Sequence, residues 1–234
     1  MEGYPILSFS KKKKLMGGLA IVVLLSAVFL ERSRIYDLFY TPSLTGFEVL
    51  EYPHPDLANI LIIGDSIVSG YFFDLRAEMA GVANVYGVPE NARHSRYGLK
   101  QCDRWLGDRD WDIIAFNFGL HDIHFVKGVG IPREYRRNLE AIATKLQATN
   151  ARIVWINTTP VPSRTLFRKA GEAERINAIA REIMTKKELP ILDLWTPARK
   201  NLKTWQIPRD VHFRDRGSEE LAKIVGAFLH EELR

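Results

Sequence analysis

From residue 59 onward, short unbroken apolar runs alternate with segments whose apolar residues recur every three or four positions. The runs are Asn59–Ile63, Trp111–Phe118, Ala151–Asn157 and Ile191–Trp195, with Ala83–Tyr86 as a weaker member. Runs without polar alternation predict strands covered on both faces. Between them, Pro132 suits a first helical position, and Tyr135, Leu139, Ile142 and Leu146 form a stripe at helical spacing. Ile176, Ile179, Ile183 and Met184 form a second, and Leu221, Ile224, Val225, Phe228 and Leu229 a third. Strands alternating with helices, joined by right-handed crossovers, predict a doubly wound α/β fold with a parallel sheet. No internal repeat or low-complexity linker interrupts residues 59–234, so these form one globular domain.

The region ahead of it has a different pattern. Lys11 to Lys14 precede residues 15–30, which carry no charge, and Glu31, Arg32 and Arg34 follow. A helix over 15–30 is about 24 Å long at ~1.5 Å per residue, somewhat short of a hydrocarbon core of ~30 Å. Snorkelling lysines and local thinning cover the difference. A cleavable signal peptide is the competing reading; the nearest small-residue site, Leu25-Ser26-Ala27, is a poor one. The segment is therefore expected to be an uncleaved transmembrane anchor, with residues 1–14 a short basic cytoplasmic tail and the main domain on the far side of the membrane. Residues 31–58, with Pro42, Pro53 and Pro55, read as an irregular lead-in.

Charge changes the picture once it is located. The 234 residues are 46% hydrophobic and 26% charged, with a net charge of +5. Six cations and two anions in residues 1–34 account for +4 of this, leaving +1 for the other 200 residues. A near-neutral body argues against nucleic acid as a partner. The single cysteine, Cys102, excludes an intramolecular disulfide and any multi-thiolate zinc site, and reads as a core filler.

In open parallel α/β sheets, ligands gather beyond the carboxyl ends of the strands. Three polar segments fall there: Gly64-Asp65-Ser66 after the first strand, Gly119-Leu120-His121-Asp122 after the strand at 111–118, and Asp210-Val211-His212 before the last helix. Each alone reads as a turn or a helix cap. Together they bring a serine, an imidazole and a carboxylate to one edge, the parts of an acyl-transfer site.

With these blocks the chain resembles the SGNH hydrolases, also called the GDSL esterase family, from about residue 59 to residue 234. The resemblance implies a flavodoxin-like α/β sandwich; no cofactor and no metal are expected. It also implies Ser66 as nucleophile, His212 as base and Asp210 as the acid that orients it. The third block is similar to the family's Gly-x-Asn-Asp, with His121 in place of the asparagine that donates to the oxyanion. The remaining oxyanion donors are expected to be the Ser66 N–H and a backbone N–H at Ala92 or Arg93, in the glycine-free segment Asn91–Ser95. Most members place the acid three residues before the histidine, where this chain has Arg209. Two extended residues point their side chains to the same side, which allows Asp210 to reach His212. Asp193 is the spare carboxylate should Asp210 fail as the acid.

These features predict a membrane-anchored serine esterase acting on a lipid or acetylated-carbohydrate ester. An acyltransferase using the same residues and a catalytically inactive binding domain are the alternatives. The other α/β-hydrolase fold is excluded because its Gly-x-Ser-x-Gly elbow is missing. A metal site at His121, Asp122 and His124 is weaker than a hydrogen-bonding role for His121, because no further ligand is specified. Arg133, Arg136 and Arg137 read as a solvated helix face, and His54 and His230 have no assigned role.

Overall fold

The computed structural model describes residues 53–123, 131–165 and 168–234. Five parallel strands form one sheet: β1 (Ala58–Ile63), β2 (Ala83–Gly87), β3 (Ile113–Phe116), β4 (Arg152–Ile156) and β5 (Ile191–Leu192). Their spatial order is β2-β1-β3-β4-β5, the flavodoxin-like order, in which β1 and β3 flank the switch point. Ile60 to Ile63 are all buried, which is why this run shows no polar alternation.

The helices are α1 (Ser66–Glu78), α2 (Ser95–Leu106), α3 (Ile131–Gln147), α4 (Glu172–Lys186), α5 (Trp195–Lys200), α6 (Leu202–Trp205) and α7 (Asp215–Glu232). They pack in two sets, α1 against α7, and α3 against both α2 and α4, as a sheet covered on both faces requires. The stripes at 135–146, 176–184 and 221–229 turn their apolar residues inward: Leu139, Leu146, Ala180, Leu221, Val225 and Leu229 are fully enclosed.

Two strands are shorter than their apolar runs. β3 ends at Phe116, although the Asn117 N–H still donates to the Ile63 carbonyl of β1 at 2.9 Å; its side-chain amide donates to the Ile156 carbonyl of β4 at 2.8 Å, and the chain then turns into the site loop. β5 stops at Leu192 because Asp193 accepts the Thr196 N–H at 3.0 Å and Trp195 already begins α5. The end of the lead-in is pinned to the sheet by buried Asn84, whose amide donates to the carbonyls of His54 (2.9 Å) and Leu57 (3.2 Å). Residues 1–52, including the expected anchor at 15–30, lie outside the described residues. Among the described residues, no helix is long and apolar enough to cross a membrane.

Candidate active site

Gly64 follows directly on β1, and the next two residues begin α1. Asp65 is the N-cap, its Oδ1 accepting the Ile67 N–H at 3.0 Å, and Ser66 is the first helical residue. Capping thereby fixes the serine at the positive end of the helix, where N–H groups and the dipole favour negative charge. The Ser66 N–H has no hydrogen-bond acceptor among the described residues.

The histidine arrives from the opposite end of the domain. A backbone bridge between Gln206 and Phe213 closes the loop, and the Ile207 N–H donates to the His212 carbonyl at 3.0 Å. The Gln206 amide fills the loop's interior, donating to the carbonyls of Pro160 (3.0 Å) and Val211 (2.9 Å). So held, His212 Nε2 lies 2.8 Å from Ser66 Oγ, and His212 Nδ1 lies 2.6 Å from Asp210 Oδ1. The hydrogen bond from His212 holds the Asp210 carboxyl below the usual carboxylate range, so it remains ionised beside the imidazole.

The local geometry of Asp210 differs from the extended pair expected. Residues 207–210 form a turn in which the Asp210 N–H donates to the Ile207 carbonyl at 3.1 Å. Arg209 has φ +63°, and Pro208 precedes it, the pattern of a type II turn. The turn lifts the carboxylate beneath the imidazole and lets the same Oδ1 accept the His212 N–H at 3.1 Å.

The third block sits where Gly119 passes close to β4's continuation; a Cβ on Gly119 would lie 2.0 Å from Thr158 Oγ1. His121 is four-fifths enclosed, with Nε2 4.0 Å from Asp65 Oδ2. Burial, together with Arg168, His94, His212 and Arg93, pushes the His121 imidazole down to about 3, so the ring is neutral and has one N–H to donate. Asp122 ties this loop to α2: it accepts the Ser95 N–H at 3.1 Å and the Ser95 hydroxyl at 2.5 Å. Burial pushes the Asp122 carboxyl up to about 7, against the lowering effect of those bonds.

Two expectations need correction. The Ala92 N–H donates to the Gly64 carbonyl at 3.0 Å, and the Arg93 N–H to Asn91 Oδ1 at 2.8 Å. Both donors are committed to holding the 91–93 turn against α1's entry, so this backbone offers neither to a substrate oxyanion. Asp193 is likewise committed: its Oδ1 takes the Asn157 amide at 2.6 Å and the Thr196 N–H, which makes it a cap and not a partner of His212. His124 lies outside the described residues; among those described, no three His, Cys, Asp or Glu side chains gather to hold a metal.

Arg168 escaped the sequence reading. Its Nε donates to the Leu120 carbonyl at 2.9 Å, which puts a guanidinium beside the third block from 48 residues away. No spacing or motif marks it. Residue order marks Asp65 as part of a motif and a cap, and the proximity of its second oxygen to His121 is visible only in three dimensions.

A parallel α/β sandwich with a serine, an imidazole and a carboxylate aligned at its switch point defines a serine-hydrolase class of site. Residues 62–219 match the GDSL-like lipase/acylhydrolase family, and the chain belongs to it. It is an ester-hydrolysing serine hydrolase. No curated protein matches the sequence. Among solved structures, a lipase/acylhydrolase from Enterococcus faecalis is similar at 19% identity, covering 75% of this chain and 97% of its own, with a TM-score of 0.65. An acetyl xylan esterase, AlAXEase, is similar at 15% identity over 73% of this chain and 99% of its own, with a TM-score of 0.63. A GDSL-like lipase from Bacteroides thetaiotaomicron is 14% identical over 84% of this chain and 98% of its own, with a TM-score of 0.63.

Proposed function

We propose that Ser66 is the nucleophile of a Ser66–His212–Asp210 site that hydrolyses a carboxylic ester. The observation that carries this reading is the pair of contacts along one line, 2.8 Å from hydroxyl to imidazole and 2.6 Å from imidazole to carboxylate. His212 Nε2 takes the proton as Ser66 Oγ attacks the ester carbonyl, and Asp210 holds the tautomer and stabilises the imidazolium. His212 then returns the proton to the leaving alcohol, and water repeats the attack on the acyl-enzyme with His212 again as base. The oxyanion meets the Ser66 N–H and His121. Here the hole has two donors, since those at Ala92 and Arg93 are occupied.

The substrate is an ester of a lipid or of an acetylated carbohydrate. Similarity to proteins described as lipases and as an acetyl xylan esterase supports both branches. Residues 15–30 anchor the chain in a membrane as an uncleaved helix, with residues 1–14 cytoplasmic, 31–58 a lead-in and the hydrolase domain of 59–234 extracytoplasmic. The uncharged stretch behind four lysines supports this placement.

Labelling with a fluorescent fluorophosphonate tests the chemistry directly. Wild-type protein is expected to label and Ser66→Ala to stay dark, while acetyl, butyryl and long-chain esters sort the substrate branches. An unlabelled wild-type protein, or a Ser66→Ala variant that still turns over ester, would end the serine-esterase reading.

A further inference from the structure

Asp65 serves the helix with one oxygen only. Oδ1 caps α1 through the Ile67 N–H. Oδ2 is buried with no hydrogen-bond partner among the described residues, and His121 Nε2 stands 4.0 Å from it. That separation is about an ångström beyond hydrogen-bond length, a gap that a small tilt of the ring closes. A buried carboxylate oxygen left unpaired is costly, so its relation to the imidazole sets the state of both groups.

The relation matters because a neutral imidazole carries a single hydrogen, on Nδ1 or on Nε2. With Nε2 turned to Asp65, Nδ1 is the nitrogen left to meet an oxyanion. An ionised Asp65 would draw the ring's hydrogen to Nε2 and leave a lone pair on Nδ1, opposed to developing negative charge. A proton lying between Oδ2 and Nε2 reverses this, because the ring's own hydrogen must then be on Nδ1. We propose that Asp65 and His121 hold one proton in common between Oδ2 and Nε2, which keeps Nδ1 of His121 an oxyanion donor. This rests on the reading of His121 as a donor to the oxyanion, and it makes Asp65 a positioning residue that acts through the imidazole.

The surroundings favour that arrangement. Burial pushes the Asp65 carboxyl up, against the opposing influence of Arg168 and His212. Burial of the imidazole, together with the charges of Arg168, His94, His212 and Arg93, disfavours an imidazolium and leaves the shared proton on the Asp65 side. Tyr71, whose phenol is also within electrostatic reach of Asp65, is fully buried and stays neutral. At alkaline pH the shared proton departs, the ring's hydrogen moves to Nε2, and the donor is lost.

Nitrogen NMR of the full chain, with its six histidines 15N-labelled, reads the tautomer without reference to turnover. His121 is assigned by its absence from His121→Gln. In the wild type near neutral pH, Nδ1 is expected to show the shift of a protonated nitrogen and Nε2 that of a hydrogen-bonded bare one. Asp65→Ser keeps an N-cap oxygen for Ile67 and removes Oδ2. There the hydrogen should move to Nε2, with kcat down on the order of 10²-fold and KM little changed. Asp65→Asn, whose amide donates to Nε2, should restore the Nδ1 signature and much of the rate, and lack the alkaline fall in kcat. A wild-type ring with its hydrogen on Nε2 overturns the proposal, and that spectrum decides the matter even if Asp65→Ser does not fold. A tautomer indifferent to Asp65→Ser overturns it equally. If the tautomers behave as expected but fluorophosphonate leaves Ser66 unlabelled, the esterase reading fails and the shared proton stands.

Discussion

His121 concentrates the chemistry that distinguishes this site at the level of single residues. An asparagine amide always has hydrogens to give; a neutral imidazole has one, and its use depends on neighbours. Because the Ala92 and Arg93 N–H groups are occupied, the proposed mechanism leaves His121 and the Ser66 N–H as the donors to the oxyanion. His121→Ala is therefore expected to lower kcat by about 10²–10³-fold with the fold intact. Unchanged turnover of a model ester with matching circular dichroism would remove His121 from the role. Asp122 makes a separate prediction about stability. Its carboxyl is at about 7 in the folded protein against 3.8 as its ordinary value, so between those limits the folded state binds the proton more tightly than the unfolded state. Stability contributed by this group is thus present at the acid end and lost as pH rises through the folded value. Urea midpoints compared at about pH 5 and about pH 8 should drop less in Asp122→Asn than in the wild type; equal drops would show that the slope has another source.

The elements set these residues by close approach. Gly98 in α2 leaves no room for a side chain: a Cβ there would lie 2.2 Å from Phe118 Cζ, at the exit of β3. The Phe118 carbonyl in turn accepts the buried Tyr135 hydroxyl at 2.8 Å, so α2 and α3 both meet the chain at Phe118, just ahead of the third block. Gly98→Ala should cost about 1–3 kcal/mol by overpacking, read as a lower denaturation midpoint with an unchanged m-value. A midpoint equal to wild type would mean that Phe118 has space to move. At the other wall of the site, the 207–210 turn replaces the family's usual acid spacing. Arg209 adopts a positive φ, and Asp210 reaches the imidazole from within the turn. Helix stripes were legible because burial on one face imposes a 3.6-residue period. The ends of β3 and β5 were not, because there the side chains of Asn117 and Asp193 bond to partners 39 residues away at Ile156 and 36 away at Asn157.

At the scale of the molecule, two properties separate along the chain. The charge of +4 in residues 1–34 stands against +1 in the remainder, so any attraction to an anionic membrane surface belongs to the N-terminal region. If residues 15–30 are an uncleaved anchor, the full chain should stay in the membrane pellet after alkaline carbonate extraction, and a chain starting at residue 35 should be released. Full-length protein in the supernatant, or N-terminal sequencing that begins beyond residue 30, would reject the anchor. The sheet order β2-β1-β3-β4-β5 places the exits of β1 and β3 side by side. It thereby brings His121 beside Asp65, the neighbour of Ser66, although the two are 56 positions apart.

The alternation of apolar runs and amphipathic stripes determined the fold class, because burying strands on both faces and helices on one leaves that pattern in any sequence. The three polar blocks likewise marked Ser66, His121, Asp210 and His212, since they fall where strands end and helices begin. Tertiary structure alone decided which groups remain available: it spent the Ala92 and Arg93 N–H groups on the Gly64 carbonyl and Asn91, and Asp193 on a cap. It also brought Arg168 to the Leu120 carbonyl and Asp65 Oδ2 to His121. A donor already bonded is withheld from other acceptors, and for most of these groups that competition is settled by distances between segments far apart in the chain, which residue order does not encode locally.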